Sequence, residues 1–160
     1  MTTPMTPDPG TSSPGITSDV RTPITTAPIA DVREAIATGT KAFLDAFKRG
    51  DAAGMAACYT RDGQVLPPNA EIAEGHKDVE NFWRETIALG FSGATLELAE
   101  LYHTPGDRTA TEVGRYIILA ADGQPADKGK YVVIWQRDDG GRWLIHRDMW
   151  ASNLPLPSTA

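Results

Sequence analysis

The chain has 160 residues, 41% hydrophobic and 22% charged, with a formal net charge of −6 and one cysteine, Cys58. That length suits a single globular domain, the acidic balance argues against binding nucleic acid through its phosphates, and a lone cysteine excludes an internal disulfide. No apolar run reaches the length of a membrane span, and the opening MTTPMTPDPG has neither the basic nor the apolar part of a secretory signal, so the expectation is a cytoplasmic protein without membrane contact.

Residues 1–30 hold six of the twelve prolines, eight threonines and only three charged residues. Such a stretch buries too little surface to offset the entropy of ordering it, which predicts a disordered tail. The folded part is expected over residues 31–154, with 155–160 a short C-terminal tail. Asp31 and Glu34 have capping-box spacing. Val32, Ile36, Phe43, Leu44 and Phe47 then recur at helical intervals up to Gly50, a natural residue just past a helix end. Asp51 caps a second, short helix carrying Met55 and Tyr59. Gly63 turns the chain into a brief strand, Gln64-Val65-Leu66, stopped by Pro67-Pro68. A loop leads to Gly75 and a third helix, with Val79, Phe82, Trp83, Ile87 and Leu89 as its apolar stripe.

Beyond Gly90 the period changes to two. Residues 95–103, 108–120, 130–137 and 143–152 read as four strands, separated by turn signals at Pro105-Gly106-Asp107, Asp122-Gly123 and Asp138-Asp139-Gly140-Gly141. Helices followed by an antiparallel meander predict an α+β fold, with three N-terminal helices packed on the concave face of a curved, cone-shaped sheet.

Several local sequences resemble those of the nuclear transport factor 2-like (cystatin-like) superfamily. They are Phe47-Lys48-Arg49-Gly50-Asp51, Tyr59-Thr60-Arg61-Asp62-Gly63 with Val65-Leu66-Pro67-Pro68-Asn69, the stretch from Gly75 through Phe82-Trp83, and Arg142-Trp143-Leu144-Ile145 with Asp148-Met149-Trp150. Within that superfamily the chain is most similar to the SnoaL-like, ketosteroid-isomerase-homologue group. The resemblance implies a conical pocket for a small apolar or aromatic ligand, a homodimer formed through the sheet, and no cofactor. It does not imply steroid isomerisation. That reaction uses a carboxylate base with a tyrosine and a protonated aspartate, and the matching positions hold Pro67, Phe43 and Val133.

The resemblance points instead to the closing strand. Alternation puts Leu144, His146, Asp148 and Trp150 on one face, and the family places that face toward the pocket. Asp148 and His146 would then lie about 7 Å apart, two residues at roughly 3.3 Å each. SnoaL-like polyketide cyclases carry an acid on this strand, which makes Asp148 the candidate base and His146 its acid or orienting partner in proton transfer beside a carbonyl. The alternatives are structural: Asp148 paired with Arg115 or Arg147, and His146 a half-buried, hydrogen-bonded histidine. Arg115, unexpected in mid-strand, either holds a ligand carboxylate or enolate or satisfies Asp148 or Glu112. Tyr59, Phe82, Trp83, Tyr131, Trp135 and Trp150 are candidate pocket walls or plain core, and Tyr59 adds a hydroxyl that could polarise a carbonyl. Asn69 stands either at the pocket mouth or in a turn.

Other chemistries find no support. His76, His103 and His146 are too scattered in sequence for a local metal site, and Gly140-Gly141 is a hairpin turn, not a phosphate loop. Cys58 has no histidine near it in sequence. Limonene-epoxide-hydrolase-like relatives need an acid two residues after Arg115, where Ile117 stands. Beside an enzyme, two further readings remain open: a ligand-binding module without turnover, and a dimeric assembly domain.

Overall fold

The structure is a computed structural model that describes residues 29–155. Residues 1–28 and 156–160, which hold nearly all of the expected tails, lie outside the described residues. Helix α1 (Ile29–Lys48) starts two residues before Asp31, so Asp31 lies in its first turn, where a negative charge suits the helix dipole, and does not cap it. Val32, Ile36, Phe43 and Phe47 form the buried stripe the periodicity predicts. Asp51 does cap α2 (Ala52–Ala56), its carboxylate accepting from the Gly54 amide at 2.8 Å. Tyr59 is not on α2; it opens strand β1 (Tyr59–Leu66). A two-residue strand, β2 (Ala73–Glu74), replaces part of the expected loop and leads into α3 (Gly75–Ala88). Val79 and Trp83 are buried there, Phe82 and Ile87 are half-buried, and Leu89 lies past the helix end at 78% exposure, outside the stripe.

The meander follows as β3 (Phe91–Tyr102), β4 (Thr109–Ala120), β5 (Pro125–Arg137) and β6 (Trp143–Ser152). Its strands pair antiparallel in sequence, and β1 joins the far side of β6 in parallel, giving the order β2-β1-β6-β5-β4-β3. The α+β architecture is as expected, with this one parallel pair making the sheet mixed. The chain between β1 and β6 includes α3 and the whole meander, the long connection a parallel pair requires.

The helices and the inner face of the sheet share one apolar core. Contact is closest at Gly39, midway along α1: a Cβ there would lie 2.9 Å from the Trp135 ring and 3.4 Å from the Trp143 carbonyl. A mid-helix glycine costs helix stability, and here it lets α1 lie directly on Trp135. Gly39→Val is therefore expected to destabilise the fold by about 1–3 kcal/mol through overpacking, measured by denaturant unfolding with tryptophan emission as the probe.

Candidate functional site

Between α1, α3 and the inner face of β3–β6 the core leaves a cavity of about 70 Å³. A water needs roughly 10–15 Å³ of such space, so the cavity as it stands takes a few waters, and a ring the size of benzene requires it to widen. Its walls are almost wholly apolar and aromatic, with Phe43, Phe47, Trp83, Tyr116, Trp135 and Trp150 prominent among them. Trp83 and Trp150 stack with ring centres 6.0 Å apart and planes at 21°, and Phe43 meets Trp83 edge-on at 5.2 Å.

Two carboxyl groups face this space, Asp148 from β6 and Glu112 from β4. Both are buried, at 9% and 3% exposure. They flank Val133 of β5, which is in register with both, so their Cα atoms are about 10 Å apart, two strand spacings. The Tyr59 hydroxyl donates to Asp148 Oδ2 at 2.7 Å and itself accepts from Trp83 Nε1 at 3.2 Å. Glu112 accepts from the Tyr131 hydroxyl at 2.6 Å and from Trp135 Nε1 at 2.7 Å, one donor to each oxygen. Gly114 makes room for this second arrangement: a Cβ there would fall 2.5 Å from the Tyr131 hydroxyl.

Burial raises Asp148 to about 6; the Tyr59 hydrogen bond pulls it down, and the charge of Glu112 pushes it up. Tyr59 is held far above the ordinary phenol range, first by burial and then by Asp148. Tyr131 is raised by burial and by its bond to Glu112. All three tyrosines at the site thus remain protonated donors at neutral pH, Tyr116 giving its hydroxyl proton to Asp127 at 2.8 Å outside the acid pair.

The model of the SnoaL-like domain matches residues 40–146, most of the folded part. The chain belongs to the SnoaL-like domain family. Solved structures similar to it include a domain of unknown function with a cystatin-like fold from Nostoc punctiforme, at 18% identity over 81% of this chain and 82% of that one, TM-score 0.67. A ketosteroid isomerase-like protein from Erwinia carotovora atroseptica gives 20% identity over 76% and 96%, TM-score 0.63. An NTF2-like protein from Novosphingobium aromaticivorans gives 16% over 78% and 84%, TM-score 0.64. No curated protein matches.

Within this SnoaL-like domain the expected site residues separate into groups. Asp148, Trp83, Tyr131, Trp135 and Trp150 all line the cavity, and Tyr59 reaches it through Asp148. Phe82 stands behind, packed on Trp150 at 5.9 Å. His146 does not share the cavity with Asp148. Trp135 pairs with Ile145 but Ile134 with Arg147, so His146 is an extra, bulged residue and the alternation changes phase across it. Ile145 faces inward before the bulge and Asp148 after it, while Nδ1 of His146 meets the Thr60 hydroxyl at 2.9 Å and lies 3.8 Å from Asp62. His146 is lowered by burial and by Arg147, against a smaller opposing pull from Asp62.

Arg115 is likewise outside, on the convex face, 69% exposed and 3.9 Å from Glu97. Neither Arg115 nor Arg147 pairs with Asp148; Arg147 donates to the backbone carbonyls of Asp62 and His146. Asn69 is exposed with φ 58°, a left-handed turn position well suited to asparagine, and it does not line the cavity. Glu112 is the site residue the sequence reading passed over as a candidate. Its signal was phase: it alternates with Ala110, Gly114 and Tyr116, all buried, whereas Arg115 alternates with exposed Ile117.

Two predictions follow from the relay on Asp148. Tyr59→Phe removes the bond that favours the charged form, so Asp148 is expected to titrate above about 6 in an NMR carboxyl titration, with stability lowered by about 1–3 kcal/mol. The native chain holds the Asp148 proton more tightly than the unfolded chain, whose aspartates titrate near 3.9. The stability this supplies is complete below that range and is lost as pH rises through about 6. Asp148→Asn is therefore expected to flatten the stability profile between those values and to be worth up to ~3 kcal/mol relative to the parent near neutral pH, measured by urea unfolding across pH.

Proposed function

We propose that this SnoaL-like protein binds a small, largely apolar, carbonyl-bearing molecule in the cavity and moves a proton on it, with Asp148 as the acid–base group. The observation that carries this reading is a buried carboxyl group on an aromatic cavity whose titration burial has brought to about 6. A base poised near working pH combines a useful ionised fraction with real proton affinity. Oδ2 is held by Tyr59, which leaves Oδ1 to meet the ligand. The chemistry is that of an isomerase, cyclase or dehydratase, in which Asp148 takes a proton from carbon beside the carbonyl. His146 has no part in it, because it is directed at Thr60.

One observation favours binding without turnover. The donors at the acid pair, Tyr59, Tyr131 and Trp135, are all engaged with the carboxyl groups, so an enolate oxygen finds no ready N–H or O–H among them. Protonated Asp148 is the donor that remains, and it favours reactions in which one group both delivers and removes the proton. As to assembly, we propose a homodimer through the convex sheet face, where Ile117 and Met149 are 38% and 49% exposed. Among the described residues no helix is long and apolar enough to cross a membrane.

The test is hydrogen–deuterium exchange at carbon. The full chain is incubated in D₂O with a panel of small cyclic and aromatic ketones, and exchange beside the carbonyl is followed by NMR. The expected result is exchange with at least one ketone, lowered about 100-fold or more by Asp148→Asn while binding of that ketone persists. Binding with no exchange in the parent protein would leave the non-catalytic reading.

A further inference from the structure

Several exposed carboxylates meet basic partners: Asp45 meets Lys41 at 2.6 Å, Asp138 meets Arg142 at 2.8 Å and Asp139 meets Arg108 at 2.7 Å. Glu112 and Asp148, the buried acids among the described residues, do not. Their hydrogen-bond partners are the uncharged Tyr59, Tyr131 and Trp135, and none of the fifteen residues lining the cavity is Lys, Arg or His. Negative charge taken out of water and left without a counter-charge is costly. Asp148 lines the cavity, and its Oδ1 accepts no hydrogen bond among the described residues.

Three kinds of ligand can be compared on this ground. An anion meets two carboxyl groups of its own sign. A neutral apolar ligand fills the aromatic walls but offers the carboxyl groups no partner. An organic cation meets two carboxyl groups of opposite sign, Asp148 and Glu112, within walls that include the aromatic rings of Trp83 and Trp150. The basic side chains of the neighbouring cleft, Arg33 and Lys41, belong to α1 and do not line the cavity, and Lys41 is already paired with Asp45.

We propose that the ligand of this cavity carries a protonated or quaternary nitrogen, seated over Val133 between Asp148 and Glu112 against the stacked indoles. This rests on the reading that the cavity is the ligand site, and it narrows the ligand to amine-bearing molecules.

The experiment is calorimetric titration of the full chain with three one-ring probes of similar size, benzylammonium, benzyl alcohol and benzoate, near pH 8, where Asp148 is ionised. Benzylammonium is expected to bind about tenfold tighter than benzyl alcohol or better, with benzoate weakest. Glu112→Gln and Asp148→Asn should each shrink the ammonium-to-alcohol ratio, because each removes a charge that only the ammonium uses. The comparison of probes on the parent protein needs no variant to fold. Equal affinities, a preference for benzyl alcohol or benzoate, or no binding of benzylammonium at millimolar concentration would each overturn the proposal. Carbon exchange on neutral ketones without ammonium preference would leave the acid–base reading standing and remove this one; ammonium preference without exchange would do the reverse.

Discussion

The hydrogen bond from Tyr59 to Asp148, 2.7 Å long, ties together more of this molecule than any other single contact at the site. Its donor opens β1, its acceptor stands on β6, and the same hydroxyl accepts from Trp83 on α3. The relay crosses the one parallel strand pair and joins the third helix to the sheet. A carboxyl group buried without a partner would neutralise or unfold its surroundings. With one oxygen satisfied by a neutral donor Asp148 stays inside; burial pushes it up to about 6 and the Tyr59 hydrogen bond limits the rise. Charge stabilisation at this position is only partial, and the incompleteness leaves it chemically responsive.

The cavity persists because large residues bridge it while small ones let them lie flat. Gly39 admits the edge of Trp135 against α1, and Gly114 admits Tyr131 across β4. Each ring then ends on Glu112, so the aromatic wall and the buried acid hold each other in place. A smaller ring at either position would let the core close, and a side chain at either glycine would push the ring off its acceptor. The packing that makes the fold stable is thus the packing that keeps a polar group inside it, a compromise usual at functional sites.

The helices and the meander were legible from pattern, since the change from helical to two-residue period and the glycine-rich turns mark the meander strands, whereas the short β2 and the parallel pairing of β1 with β6 were not. Asp51 read correctly as a cap because its geometry is local. Asp148 read correctly as inward on the strength of the family resemblance, and the bulge at His146 then decided which neighbours accompany it. Alternation counts residues, and an extra residue in one strand reverses the count without leaving a mark in the sequence. His146 was assigned to the cavity on that count and lies against Thr60. Arg115 drew notice as a charge in mid-strand, whereas Glu112, three residues earlier and in the opposite phase, is the charge that points inward. The phase of β4 was available in Ala110, Gly114 and Tyr116, but a glycine and an alanine carry little hydrophobic signal.

The two acids differ in how completely the protein satisfies them, and this separates their roles. Glu112 receives a donor on each oxygen from rings that are themselves locked in the core. It behaves as a fixed feature of the wall, and its charge acts across Val133 to raise Asp148. Asp148 receives one donor, and its other oxygen accepts no hydrogen bond among the described residues. Two carboxyl groups in one pocket with unequal environments is the arrangement by which proteins divide electrostatic work from proton transfer. On this ground the proposed proton transfer falls to Asp148, with the charge of Glu112 acting on it.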